Sequence, residues 1–529
     1  MRLPADLEYP MLLKLLVWAT AVTLFGAPAV ARADTTLVIG MASDPTGLDP
    51  EAVENNTSGF IMSTIYDSLL RYKTGTTDVA PGIAESWTSS PDGLTYTFKL
   101  KSGVKFSDGT PLDAKAVIWN VDRLLNKANP QYIYNTGPVE GYIDFTYGDV
   151  ASYKVVDDTT VEFTFKKPSA PFLNSLAMVW NGLVSPTAAE KYGKDLRSHP
   201  VGSGPFVLRE WRQRDQVILD ANPNYWGGKP KVDHIIFKEL PDPQAAVLAL
   251  KRGDVQILAD LSTQSVPALK NDPNVTVLTQ PGLAVSGVAL PVDTPPFNDK
   301  RVRQALNYAV DKAAINKALF ADLAVPMTSP LPQAQWGFDK SLQGYPYDAA
   351  KAKQLLAEAG VKPGTTLELA TYNSPRGYNP AGPNLAIAVQ GFLNKVGLTV
   401  SVKQSEVGAY FTQARSGKYT GMMMEGWSGD NGDPDNFLGE LWSYKNFPTA
   451  DWARYNNPDY EALLAKALAE PDPAKRTPLY DQAQKIVVDD APWIFINSTL
   501  QIRAIRKTVQ GYELNPTQMF FGMENVSLQ

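Results

Sequence analysis

M-M-M-E-G-W-S-G-D-N-G-D-P-D-N-F, residues 422–437, joins an apolar run to a polar, glycine-rich one. Met422, Met423 and Met424 read as a buried strand. The twelve residues that end this stretch hold three glycines, Trp427 and three carboxylates, Asp430, Asp433 and Asp435. A core strand that runs into such a loop offers backbone a ligand can approach closely, because glycine has no Cβ. It also offers fixed negative charge, which suits an ammonium group better than a phosphate. The competing reading is a solvated acidic turn, so the stretch has to be weighed against the rest of the chain.

On either side, strand-like and helix-like segments alternate. T-L-V-I-G at 36–40, T-Y-T-F-K-L at 95–100, 161–165, 217–219, 235–237, 366–371, 398–402 and 493–496 read as strands. Helical spacing marks 60–70, a segment after the cap residue Asp113, 299–320, 348–359, 385–396, 460–468 and 474–490. The segment 299–320 reads as one continuous helix with Asn298 or Asp299 as its cap. The mixture predicts an α/β or α+β protein. At 529 residues the chain is too long for one ordinary domain.

Composition narrows the function. The net charge is −6 and there is no basic block, which argues against nucleic-acid binding. The first residues predict an export leader: Arg2 and Lys14 are basic, 15–25 is an apolar run too short to span a bilayer, and A-R-A at 31–33 is a cleavage signal. Residues 1–33 are therefore expected to be removed. The chain has no cysteine, so it is expected to fold without disulfides and without a lipid anchor. The expected destination is the periplasm.

Catalysis and metal binding find little support. The only histidines, His199 and His234, stand in no nucleophile or metal pattern, and no G-x-S-x-G motif is present. A structural zinc site has no ligands to draw on. The acidic loop fails the calcium-loop spacing, since a count from Asp433 puts Phe437 at the fifth position. V-G-S-G-P-F at 201–206 lacks the Lys-Ser/Thr of a phosphate loop. Paired carboxylates serving a hydrolase stay open, because pairing in space cannot be read from one sequence.

Several motifs converge on one family. They are G-T-T-D-V-A-P-G-I-A-E-S-W (75–87), D-G-L-T-Y-T-F-K-L (92–100), G-S-G-P-F (202–206), R-V-R-Q-A-L-N-Y-A-V-D-K (301–312), S-P-R-G-Y-N-P (374–380) and the acidic loop itself. With them the chain resembles the family 5 solute-binding proteins of ABC importers, the peptide/nickel/opine group, over nearly its whole length. The loop and S-P-R-G-Y-N-P resemble the dipeptide-like subgroup. The resemblance implies a periplasmic binding protein-like two-lobed clamshell (class II, cluster C) with a third, accessory domain. It places lobe I at 34–66, 201–282 and 505–529, the accessory domain at 67–200 and lobe II at 283–504.

The resemblance also implies roles. Asp430 would take a ligand ammonium and Arg376 a ligand carboxylate. Trp427 and Tyr378 would line side-chain pockets, and backbone at Gly429 and Gly432 would bond the ligand's own peptide group. Thr57 or Ser58 would contribute from the opposite lobe, while Asp433 and Asp435 would shape the turn. The expected partners are a dipeptide or short peptide and a membrane permease, with the protein working as a monomer, without a cofactor, and not as an enzyme. Two departures stand out: the absence of cysteine, and Val407 where the dipeptide binders carry a tryptophan, which would reshape one pocket. Within the same fold the alternative ligands are glutathione, haem, an opine or an oligosaccharide. From another class the alternative is a secreted carboxylate-dependent hydrolase.

Overall fold

A computed structural model describes residues 34–529 except Glu54, Gly137, Pro138, Glu140 and Gly141. The expected leader lies outside the described residues. One long strand, Trp493–Arg506, organises the rest. Its first half pairs antiparallel with Ala284–Ala289, and its second half pairs with Val275–Pro281 and Ile257–Leu258. It thereby joins two half-sheets into one twelve-stranded sheet.

On one side the sheet continues through Ala284–Ala289, Met422–Ser428, Thr366–Tyr372 and Thr399–Ser405, which form lobe II. On the other it continues through Thr36–Met41, His234–Glu239, Gln216–Ala221 and Phe206–Arg212, which form lobe I. The two half-sheets share two strand passages. The first runs from Val275–Pro281 into Ala284–Ala289, and the second is Trp493–Arg506. Gly282 sits at the crossing, where its N–H donates to Thr499 O at 3.3 Å. A Cβ there would lie 2.8 Å from the same oxygen.

The accessory domain is a separate antiparallel sheet in the order Ala84–Ser89, Thr95–Leu100, Thr160–Phe165, Val150–Asp157. Alternation buries one face: Tyr96, Phe98, Leu100, Val161, Phe163 and Phe165 are all inside. Phe172 lies edge-on against Phe98, Phe163 and Phe165. Helix Ala114–Leu125 closes this core, its N-terminus capped by Asp113, which accepts from Ala116 N at 2.9 Å. Met178, Val184 and Leu196, within the span expected for the accessory domain, pack with Leu37 and Phe237 in the lobe I core.

The segment expected as a single helix at 299–320 is two helices, Lys300–Ala309 and Lys312–Phe320. Val310 turns extended, and the Asp311 side chain accepts from Ala314 N at 2.9 Å, so the second helix begins with its own cap.

Candidate functional site

The acidic loop leaves its strand at the end of the pairing with Ala284–Ala289. Ser428 is still paired with Ala284, and Gly429 N donates to Leu283 O at 2.5 Å. Gly426 lacks a Cβ because the Tyr378 ring lies on the strand there; a Cβ would sit 2.4 Å from Tyr378 Cδ2.

Asn436 holds the loop in shape. Its side-chain oxygen accepts from Asp430 N at 2.8 Å and from Trp427 Nε1 at 3.2 Å. Its Nδ2 donates to Asp430 Oδ2 at 3.2 Å, and Tyr142 OH donates to Asp430 Oδ1 at 2.6 Å. The carboxylate is thus gripped on both oxygens and aimed into the space between the lobes.

Arg376 reaches the same space from a tight turn. Arg376 N donates to Asn379 O at 3.0 Å, and Asn379 N donates to Arg376 O at 2.9 Å. Asn379, fully buried, ties this turn to Tyr372 OH at 2.9 Å and to Gly382 O at 3.0 Å. The guanidinium carbon lies 5.3 Å from the Phe411 ring centre and 6.0 Å from that of Tyr378. Nε of Arg376 is buried without a hydrogen-bond partner among the described residues. Burial pushes the Tyr378 hydroxyl up, against the pull of Arg376, so it stays a neutral phenol.

These groups line one cavity of about 380 Å³. Asp430, Gly429, Trp427, Arg376 and Tyr378 form its lobe II wall. The facing wall is Asn55, Asn56, Tyr142, Trp180 and Gln518. Motif reading missed this second wall, because Tyr142 and Trp180 belong to no spacing pattern and meet only through the fold. Asn436 lies within the acidic stretch itself, but its role depends on the loop folding back on itself.

Three expected contributors stand elsewhere. Gly432, at φ +67°, turns away from the cavity: a Cβ there would collide with Thr77 at 2.3 Å, and its carbonyl accepts from Gln335 Nε2 at 2.5 Å. The Thr57 hydroxyl bonds Ser43 Oγ at 3.0 Å. Ser58 is fully buried, its Oγ accepting from Thr46 N at 3.2 Å. The preceding residues, Asn55 and Asn56, line the cavity in their place. Val407 opens helix Val407–Arg415 and packs on the lobe II core, and this helix reaches the Arg376 guanidinium through Phe411.

The other two acids of the loop have separate fates. Asp433 is fully buried in a two-pronged pair with Arg476, both N···O distances being 2.7 Å. Burial, and then the nearby Asp433, pushes Asp435 up to about 7. Burial, then Asp435 and Asp430, pushes Glu440 up to about 7 as well. The Asp430 end of the cavity is therefore rich in acidic groups, which favours a cationic ligand group. Among the described residues no group of three or more His, Cys, Asp or Glu could hold a metal ion, and no helix is long and apolar enough to cross a membrane.

Comparison with known proteins agrees with this architecture. The model of the bacterial extracellular solute-binding proteins, family 5 Middle, matches residues 78–449. The dipeptide-binding protein of Escherichia coli (strain K12) is 34% identical over 508 residues, covering 93% of this chain and 95% of that one. Heme-binding protein A of Haemophilus influenzae is 35% identical over 501 residues, covering 92% and 91%. The solved structure of HbpA2 from Haemophilus parasuis superposes with a TM-score of 0.88 at 32% identity, over 93% of this chain and 100% of that one. Likeness over more than nine-tenths of its length, in residues and in backbone alike, makes this chain a family 5 extracellular solute-binding protein of ABC importers.

Proposed function

We propose that the protein captures dipeptides or short peptides in the periplasm and delivers them to an ABC permease. One observation carries this reading: a carboxylate and a guanidinium, Asp430 and Arg376, line the same cavity of about 380 Å³ among aromatic walls. A zwitterionic peptide enclosed there needs both of its charges answered, because an unpaired buried charge costs several kcal/mol. Asp430 answers the ammonium. The planar fork of Arg376 answers both carboxylate oxygens. The cavity lies at the small end of the range for ligand sites, which fits a peptide of two or three residues.

The test is calorimetry with a dipeptide panel on ligand-free protein, together with mass spectrometry of whatever the purified protein releases. Asp430→Asn and Arg376→Ala are each expected to weaken dipeptide binding tenfold or more, since each strands the other partner of a buried charge pair. Unchanged affinity in both variants would overturn the reading. So would a tightly held tetrapyrrole, glutathione or sugar in place of a peptide.

A further inference from the structure

The ligand cavity has a neighbour. A second cavity, of about 560 Å³, lies against the hinge strands, between Leu258, Ala259 and Leu261 of lobe I and Leu323, Pro375 and Pro380 of lobe II. The turn that carries Arg376 divides the two: Arg376 and Tyr378 line the first, Pro375 and Pro380 the second. Leu283, Gly377 and Gln518 line both, so the cavities meet there. Gly377 brings no side chain to this junction, and a Cβ on it would meet nothing nearer than Ser428 Oγ at 3.6 Å. Gln518 does bring one. It stands half-buried at φ +71°, a left-handed backbone that glutamine rarely adopts. Its surroundings fix it there. Met519 and Phe520 are buried in the lobe I core, Gln518 N donates to Asn515 O at 2.8 Å, and Arg503 donates to Gln518 O. The side chain is held in turn by Asn56 Nδ2, which donates to Gln518 Oε1 at 3.3 Å. Backbone of this kind persists only where the structure around it imposes it, and it gathers at functional sites.

We propose that Gln518 is a specificity-determining residue that limits ligand length, by closing the passage from the charged cavity into the hinge cavity. The inference rests on the peptide reading above. A dipeptide whose carboxylate is taken by Arg376 ends at the junction. A longer peptide has to carry its further residues past Gly377 and Gln518. The hinge cavity suits such a tail. Leucine, proline and alanine side chains make up much of its wall. Gln501 lines it as well, and Gln501 Nε2 is buried without a hydrogen-bond partner among the described residues. That amide offers a donor to a backbone carbonyl or a terminal carboxylate. The protein thus contains the room for a longer ligand, and one braced side chain separates that room from the ligand cavity.

The experiment compares, by calorimetry, the tightest-binding dipeptide of the panel with the pentapeptide made by adding Ala-Leu-Leu to its carboxyl end. Wild type is expected to prefer the dipeptide by more than tenfold. Gln518→Gly removes the side chain and accepts the left-handed backbone without strain, so the preference should fall at least tenfold. Gln518→Asn also tolerates that backbone and shortens the side chain by one carbon, so it should fall between the two; it carries the comparison should the glycine variant not fold. Thermal melting checks folding. A second pentapeptide, ending in Ala-Ser-Ser, separates an opened passage from a general loosening. In the glycine variant it should bind at least fivefold more weakly than the Ala-Leu-Leu form, because its tail enters an apolar cavity. Equal binding of dipeptide and pentapeptide by wild type overturns the inference. So does a preference in the folded variants equal to that of wild type, or equal binding of the two tails by the glycine variant. Each of these leaves the peptide reading standing, since the dipeptide still binds. Failure of wild type to bind any dipeptide overturns both.

Discussion

Three aspartates share the acidic loop, and their side chains do three different things. Asp430 lines the cavity, Asp433 is locked to Arg476, and Asp435 sits half-buried beside Asp433, its backbone N–H donating to Asp433 Oδ1 at 3.0 Å. Arg476 also lies over the rings of Trp336 and Tyr480, at 5.1 and 5.2 Å, so its charge is enclosed by protein on every side described. Arg476→Met would leave Asp433 as an uncompensated buried charge, at an expected cost of 3–5 kcal/mol on the order of magnitude known for broken buried pairs. Urea unfolding should show this as a lowered midpoint, and a loss below about 1 kcal/mol would mean that Asp433 does not depend on the pair. A second residue argues in the opposite direction. Lys312 is buried, its Nζ has no hydrogen-bond partner among the described residues, and burial pushes it down to about 8. Its folded pKa is depressed, so the unfolded chain holds more protons between pH 8 and 10.5 and the cost of the lysine is greatest below 8. Lys312→Met is therefore expected to raise the melting temperature at pH 7, with a gain that shrinks towards pH 10.5; a gain independent of pH would show that charge is not the cause. The sequence announced an acidic cluster but could not sort it. What separates Asp430 from Asp433 is an arginine 43 positions along the chain, and nothing periodic links the two.

At the scale of elements, helix Asp435–Trp442 begins with an acid where the helix dipole would favour a negative charge. Burial and the charge of Asp433 outweigh that preference, and both Asp435 and Glu440 are raised to about 7. Because the folded pKa lies above the unfolded one, the folded form binds more protons, and stability falls as pH rises from about 4 to about 7. Asp435→Asn should flatten part of that decline. Urea midpoints measured from pH 5 to 8 are expected to drop more steeply for wild type than for the variant, and parallel curves would reject the assignment. The same scale shows what pattern reading captures. Strand Met422–Ser428 and the capped helices after Asp113 and Asp348 are where hydrophobic spacing and cap residues place them. The long strand Trp493–Arg506 was legible only over its first four residues. Its second part reads N-S-T-L-Q-I-R, which is not an apolar run, yet Asn497, Ser498 and Arg503 are buried. Two of the three find side-chain partners: Asn497 Nδ2 donates to Asn316 Oδ1 at 2.9 Å, and Arg503 donates to Tyr512 OH and Gln518 O. A hydropathy pattern cannot see burial that polar partners make affordable. For the same reason the break at Val310 was hidden, because apolar spacing continues across it and only the Asp311 cap marks it.

At the scale of the whole molecule, the protein itself supplies contacts across the cleft. Asn431 Nδ2 donates to Ser175 Oγ at 3.1 Å, Tyr72 OH donates to Asn431 O at 3.0 Å, and Gly432 packs on Thr77. These contacts tie the acidic loop of lobe II to the opposite side without any ligand. They therefore favour the closed arrangement of two lobes whose half-sheets are joined, among the described residues, by the strand passages at Gly282 and Thr499. A ligand must add the rest: reversing a 1:99 population requires about 5.5 kcal/mol of differential binding. Asp430 and Arg376 alone cannot provide it, since both belong to lobe II, so the opposing wall of Asn55, Asn56, Tyr142 and Trp180 is where closure becomes coupled to binding. Ser175 separates the two contributions, because it is buried and does not line the cavity. Ser175→Ala removes one neutral hydrogen bond of the closed form, worth about 1 kcal/mol, or roughly fivefold in the closed population. When the closed fraction is small, apparent affinity scales with it. Every dipeptide in the panel should then weaken by about the same factor, with the order of preference unchanged, and small-angle scattering should report a ligand-free radius of gyration no smaller than that of wild type. A loss confined to some ligands would instead place Ser175 in the recognition of the ligand, and would refute its role as a closing contact.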